Sequence, residues 1–213
     1  MNPYRRLVAR FYDHHMQRLD QLCLAQWRRQ LLDPLFGRVV EIGAGTGGNL
    51  EYYSAQVAEL ILAEPDEAMR GQLEKRLRRQ PRSGVRVAGW KAEAIPLASG
   101  SVDFVVSTLV FCSLDDPRRA AAEIRRILKP GGRLVVMEHV AAVDRPGLRF
   151  WQRFWQPLWR RIACNCHPAR ETAEYLCQSG LIPDFRCEAM LGVPAIFSPM
   201  IVGAAVKPVD EDC

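Results

Sequence analysis

Apolar residues along the chain keep two rhythms that take turns. Short, nearly unbroken apolar runs at about 38–42, 58–63, 85–88, 102–108 and 133–138 read as strands. Between them the spacing turns helical, at about 46–55, at Asp66–Gln80 with Asp66 as N-cap, and at Pro117–Leu128 with Pro117 in the first turn. The stretch 91–101 reads as loop, and Lys129-Pro130-Gly131-Gly132 as a hard stop before the fifth strand. Strands alternating with helices predict a parallel sheet with right-handed crossovers, and unbroken apolar strands predict one covered on both faces. Residues 4–33 read as a leading helix bounded by Pro3 and Pro34, with Leu19, Leu22, Cys23, Leu24, Trp27 and Leu31 as its apolar stripe. After residue 140 the alternation stops. An aromatic helix pair, a helix at about 169–179 and strands at about 184–190 and 199–206 are expected there.

Length and charge narrow this picture. The 213 residues suit one α/β domain with additions, divided as a helical cap (1–34), a core (35–140) and an aromatic insert or lid with the final strands (141–213). Net charge is +5, and the 25 arginines and four lysines are scattered, so no basic arm points to nucleic acid. Seven cysteines, an odd number, with no secretory signal at the N-terminus, point to reduced thiols and a cytoplasmic setting. No run reaches the ~18 apolar residues of a membrane span, so any lipid contact is expected to be peripheral. Oligomeric state cannot be read from these features.

The most informative stretch is Gly37–Leu50. An apolar strand ends on Glu41 and runs into Gly43, Gly45, Gly47 and Gly48. Such a turn lets backbone approach a ligand closely and aims N–H groups at it. Gly43, Gly45 and Gly48 also satisfy the dinucleotide pattern, and Glu64, 21 residues past Gly43, is placed to accept ribose hydroxyls. Both devices serve NAD as well as other nucleoside cofactors, so an NAD(P) oxidoreductase stays open at this point.

Later motifs discriminate. Asp103 stands just inside the fourth strand of Ala98–Val106, Ala92-Glu93-Ala94-Ile95-Pro96-Leu97 forms a loop, and Leu128-Lys129-Pro130-Gly131-Gly132-Arg133-Leu134 turns into the fifth strand. In this order, over about residues 35–140, the sequence resembles the class I S-adenosylmethionine-dependent methyltransferases. The resemblance implies a Rossmann-like three-layer sandwich with a seven-stranded mixed sheet, its last strand antiparallel. It implies that Glu41 and the Gly43, Ala44, Gly45, Thr46, Gly47 backbone face the methionine part of the cofactor. Glu64 would hold the ribose, Pro65 and Met69 would lie near the adenine, and Ala92 and Glu93 at its edge. Thr108 and Leu109 would sit beside the sulfonium, and Tyr12 on a leading helix folded over the site. Trp90-Lys91 replaces the Gly-Asp that many relatives carry, so the adenine-edge acid is either missing or replaced by Glu93, and Trp90 is either a stacking ring or core.

A narrower resemblance runs from Glu41 nearly to Lys207. Asn49, Ser107–Ser113, Met137-Glu138-His139-Val140-Ala141-Ala142, Phe150-Trp151-Gln152, Pro157-Leu158-Trp159, Cys164-Asn165 and Arg170-Glu171 look like the methyltransferase-like 7 group. That resemblance implies S-methylation of a small lipophilic thiol. N-, O- or C-methylation of a lipid, quinone or small metabolite is the alternative. The group's animal members carry an N-terminal hydrophobic anchor, and none is expected here. A thiol reacts as thiolate, only a few per cent ionised at neutral pH, and His139 at the end of the fifth strand is the candidate base. His14 and His15 are less suited, being adjacent and pointing apart. Cys164, Cys166 and His167 do not have the spacing of a common zinc site, and no metal is expected. Phe150, Trp151, Phe154, Trp155, Leu158, Trp159 and Ile162 recur at helical spacing among arginines. They can be a core face, a lid over the acceptor, or a membrane-surface face, and Pro157 is expected to break or kink the segment.

Overall fold

The structure is a computed structural model that describes residues 18–163 and 165–209. Tyr12, His14, His15 and Cys164 therefore lie outside the described residues. Seven strands make one sheet: β1 (Gly37–Ile42), β2 (Val57–Ala63), β3 (Val85–Ala88), β4 (Val102–Thr108), β5 (Leu128–His139), β6 (Ile182–Ala189) and β7 (Pro199–Val206). Their order is β3-β2-β1-β4-β5-β7-β6. The first five are parallel, and β7 runs antiparallel to both β5 and β6. β1, β2 and β4 are buried toward their carboxyl ends, as their unbroken apolar runs require, whereas edge strand β3 is only partly covered.

Among the described residues five α-helices accompany the sheet: α1 (Ala25–Leu32), α2 (Glu67–Arg79), α3 (Pro117–Ile127), α4 (Pro146–Ile162) and α5 (Thr172–Gln178). A single π-helical turn, Asp20–Leu24, leads into α1. Leu19, Cys23, Leu24 and Trp27 of the predicted stripe are buried with Met137, Met200 and Val202, whereas Leu22 is exposed. Asp66 caps α2, its carboxylate accepting the N–H groups of Ala68 and Met69. α3 carries Pro117 in its first turn and buries Ala120, Ala121, Ile124 and Ile127 at i, i+1, i+4 and i+7. Each Ile there contributes about 2 kcal/mol of burial.

Three expectations are corrected. No α-helix spans 46–55, because Gly47 has φ +89°, outside the right-handed helical region, and only a 3-10 turn, Leu50–Tyr52, forms. The strand expected from Arg133 starts at Leu128. Val102 pairs with Leu128 and Phe104 with Arg133, so the Lys129–Gly132 turn is looped out of β5 as a bulge. The aromatic segment is one helix that runs through Pro157, not a pair.

Asp103 explains why its motif marks the fold. Its carboxylate accepts the Arg38 N–H at 2.8 Å and pairs with Lys129 at 2.5 Å, tying β1, β4 and the β5 bulge together. A Cβ at Gly37 would stand 2.5 Å from that carboxylate. These contacts lie at the entry of β4, whereas Glu41, Thr108 and His139 stand at or next to the strands' carboxyl ends.

Candidate active site

Glu41 is the fifth residue of β1 and is buried. Its Oε1 accepts Asn49 Nδ2 at 3.0 Å, and its Oε2 accepts the Tyr53 hydroxyl at 2.7 Å. Burial pushes its pKa up to about 7, against the opposing pull of those two hydrogen bonds and of the Arg28 charge. The same Asn49 amide donates to Thr108 Oγ1 at 3.0 Å, joining the ends of β1 and β4. Asn49 Oδ1 is buried with no hydrogen-bond partner. An acceptor held in that state is suited to a ligand's N–H.

The glycines make the turn between these anchors. Gly43 has φ +59°, and a Cβ there would meet Val110 at 2.5 Å. Gly45 has φ +55°, and a Cβ there would meet nothing within 4 Å, so its backbone faces open space. Its N–H donates to Glu64 Oε2 at 2.8 Å, while Glu64 Oε1 accepts the Asp66 N–H at 2.8 Å. Glu64 follows β2 directly, and burial raises its pKa despite those two N–H groups. The strand-end acid and the glycine turn thus form one hydrogen-bonded unit.

A cleft of about 440 Å³ opens here. Of the residues expected at the cofactor, Glu41, Gly43, Ala44, Gly45, Thr46, Asn49 and Thr108 line it. Gly47, Glu64, Pro65, Met69, Ala92, Glu93, Leu109 and His139 do not. Gly47 packs against Leu50 and Leu73. Ala92 is part of the core, and Glu93 accepts the Asp116 N–H at 3.3 Å. Trp90 packs against the core with the Arg86 guanidinium 5.6 Å from its ring centre.

Arg28 of α1 lines the cleft too, and no motif pointed to it. It is buried, ion-paired with Asp20 and 5.9 Å from the Tyr52 ring centre. The available signal was a charged residue one turn past Leu24 on an otherwise apolar stripe. Lys75, Arg76 and Arg79 of α2 add a basic rim. The arrangement fits a zwitterionic ligand end: a carboxylate beside Arg28, an ammonium beside Glu41 and Asn49 Oδ1, and backbone amides along the Gly43–Gly47 turn.

Beyond β4 the chain turns sharply. Leu109 has φ +59°, unusual for a residue with a side chain, and its N–H donates to Met137 O at 2.8 Å. Glu138, fully buried, holds this turn. Its Oε1 accepts the Ser107 hydroxyl at 2.6 Å and the Val110 N–H at 3.0 Å. Burial pushes its pKa up to about 7. Arg170 adds bonds to the carbonyls of Phe111 and Leu114. Sequence reasoning used Glu138 as a motif letter and missed this positioning role.

His139 ends β5. Its ring bonds the Phe197 backbone carbonyl, and its Nδ1 is buried without a partner. Burial lowers its pKa to about 4, so at pH 7 the ring is neutral. Buried Cys112 and Cys166 hydrogen-bond each other, which raises the Cys112 thiol pKa and lowers that of Cys166. Among the described residues no group of three or more His, Cys, Asp or Glu stands close enough to hold a metal ion.

Comparison with known proteins adds an independent line. Residues 40–136 match the family described as "Methyltransferase domain". Thiol S-methyltransferase TMT1B of Rattus norvegicus is 34% identical over 136 residues, 63% of this chain and 55% of that protein. The chain thus spans about half the length of that relative. A ubiquinone/menaquinone biosynthesis C-methyltransferase, UbiE of Acidiphilium cryptum, is 31% identical over 168 residues, 74% of this chain and 66% of that protein. A chain in the solved complex of the Haloferax volcanii Trm112 methyltransferase activator shares the fold at TM-score 0.73. It is 18% identical, and the overlap covers 95% of this chain and 97% of that one.

Proposed function

The chain belongs to the class I S-adenosylmethionine-dependent methyltransferases, and we propose that it methylates the sulfur of a small lipophilic thiol. The observation that carries the acceptor assignment is the 34% identity to a thiol S-methyltransferase over 136 residues. Bound S-adenosylmethionine supplies a methyl group already activated on a sulfonium sulfur. The residues of this chain then bind, orient and move a proton. Glu41 and Asn49 Oδ1 take the ammonium, Arg28 the carboxylate, the Gly43–Gly47 amides the methionine backbone, and Glu64 the ribose. Thr108 and the strained Leu109 shape the wall where donor and acceptor meet, and Pro65, Met69, Ala92 and Glu93 flank the base. Tyr12 remains a candidate from the sequence alone.

His139 supplies the proton acceptor. With a pKa of about 4 it does not build up a standing thiolate, because an ordinary thiol near 8.5 keeps its proton against so weak a base. It accepts a hydrogen bond from the S–H instead. As the new S–C bond begins to form, the S–H proton becomes strongly acidic and leaves in the same step, so the sulfur reacts with thiolate character. The neutral imidazole then takes that proton and passes it to water. Methyl thioether, S-adenosylhomocysteine and one proton are the products.

A second reading, C- or O-methylation of a quinone-like or lipid acceptor, is favoured by the 31% identity to UbiE over the longer 168-residue overlap. Release of S-adenosylhomocysteine from a panel of alkyl and aryl thiols, beside quinols and fatty acids, separates the two. Turnover on thiols alone supports the first. Turnover on quinols or fatty acids and none on any thiol overturns it.

A further inference from the structure

The aromatic helix is where the structure departs most from a core reading. On α4, Phe150 is 62% exposed, Phe154 59% and Leu158 51%, and Trp151 and Trp155 are exposed as well. The rings contact one another in a row. Trp151 stands 5.5 Å from Phe154, and Phe154 5.4 Å from Trp155. At 3.6 residues per turn these five side chains share an arc of roughly 140°.

The opposite side is fixed to the body of the protein. Gln152 is fully buried. It accepts the Ala142 N–H at 2.8 Å and donates to the carbonyls of Val140 and Ile196 at 3.2 and 3.1 Å. Trp159 stacks on Phe197 with ring centres 3.6 Å apart. The helix is therefore anchored with its aromatic face turned outward.

Charge selects the partner. No Asp or Glu occurs between Arg145 and Arg170. Arg149 is ion-paired with Glu171. Arg145, Arg153, Arg160 and Arg161 are exposed along the flank and at the ends of the aromatic face. A second copy seated on this face would set arginine against arginine with no acid between them. An anionic surface with an apolar interior meets both halves of the pattern: rings enter the headgroup–acyl boundary and guanidiniums meet lipid phosphates.

We propose that α4 is an interfacial helix that docks the protein on an anionic phospholipid bilayer, with Phe150, Trp151, Phe154, Trp155 and Leu158 inserted. No described helix is long and apolar enough to cross a membrane, so this contact is with one leaflet. α4 is joined through residues 140–145 to the carboxyl end of β5, the edge that holds His139. The inference stands on this helix alone and does not depend on which acceptor is methylated.

Flotation of the full chain with phosphatidylcholine vesicles, with and without phosphatidylserine, tests it. Co-flotation with the phosphatidylserine vesicles is expected, weaker by roughly tenfold or more on phosphatidylcholine alone, and reduced by high salt. A W151S/F154S/W155S variant should lose it while keeping its circular dichroism and its affinity for S-adenosylhomocysteine. Quenching of wild-type tryptophan emission by brominated acyl chains reads the insertion without any variant. The proposal is overturned if neither vesicle floats the protein, if brominated lipid does not quench, or if a well-folded triple variant floats as the wild type does. A concentration-dependent dimer lost in the variant, without vesicle binding, also overturns it by making the face a contact between copies.

Discussion

The carboxylate of Glu41 has its pKa pushed up to about 7 by burial, and the ligand proposed for its cleft carries an ammonium. Binding the ammonium requires the ionised form. With a pKa of about 7, roughly nine-tenths of the free protein has Glu41 ionised at pH 8 and roughly one-tenth at pH 6. Wild-type affinity should therefore lose about a factor of ten across that interval, or ~1.4 kcal/mol. The cofactor's own amino group titrates near pH 8 and blurs a simple pH profile. Comparison with Glu41→Gln removes that contribution, since it is common to both proteins. Gln retains the acceptor for Asn49, and the Tyr53 hydroxyl can rotate to accept from the new amide. The expected result, by calorimetry with S-adenosylhomocysteine, is that the wild-type advantage over Glu41→Gln is about tenfold larger at pH 8 than at pH 6. At pH 6, binding to the wild type should release close to one proton, seen as a dependence on buffer ionisation heat, and this release should vanish in the variant. An advantage that stays constant between pH 6 and pH 8 would refute the placement of the ammonium beside Glu41.

Other outcomes follow from the same geometry. Glu64→Ala should weaken S-adenosylhomocysteine binding by roughly 10- to 100-fold, the worth of a charged hydrogen bond; calorimetry showing unchanged affinity would remove Glu64 from the ribose site. Arg28→Met should cost about as much, measured the same way. His139→Asn should lower kcat on thiols with little change in S-adenosylhomocysteine affinity. Because His139 titrates near 4, the wild-type rate should show no inflection from it between pH 5 and 8 in a stopped-time assay. Glu138, raised from 4.5 to about 7, favours the folded state fully below its unfolded pKa and loses that contribution as pH rises through 7. Part of this contribution is already gone at pH 5, which lies above the unfolded pKa, so urea unfolding at pH 5 and pH 8 should show wild type losing about 2.5 kcal/mol more than Glu138→Gln.

The parallel core was legible because its central strands are buried on both faces and write themselves as unbroken apolar runs, as in Leu60-Ile61-Leu62. The glycine turn was legible for a local reason, its left-handed backbone at Gly43, Gly45 and Gly47. Elements whose shape is set by distant partners were not. The missing helix after the turn follows from the φ of +89° at Gly47, which the glycine allows but its letter alone does not announce. The bulge at Lys129–Gly132 depends on Asp103, 26 residues earlier, which binds Lys129. Arg28 belongs to no motif, and its place in the cleft is fixed by partners that only the folded chain brings together. In α4, the helical spacing of aromatics was visible. The direction that face takes is decided by Gln152, a single polar residue bonded to Val140 and Ile196.

The two halves of the site differ in how they are held, and the difference has a chemical use. On the cofactor side, Glu41, Asn49, Thr108 and Tyr53 form a chain of side-chain hydrogen bonds across the ends of β1 and β4. Such a network is rigid before any ligand arrives, which lowers the ordering cost of binding. On the acceptor side, Glu138 pins backbone rather than side chains: its carboxylate holds the Val110 N–H while Leu109 is forced to φ +59°. If the proposed acceptor sits here, the wall beside the reacting atoms is set by main chain rather than by side chains. A methyl on a sulfonium needs alignment with the incoming sulfur and exclusion of water more than it needs a strong base. In the reaction proposed above, a rigid polar cradle would hold the donor, an apolar wall would face the acceptor, and the neutral imidazole of His139 would take the proton. The weak basicity of His139 is then consistent with its role, because the proton it takes is acidified by the methyl transfer itself.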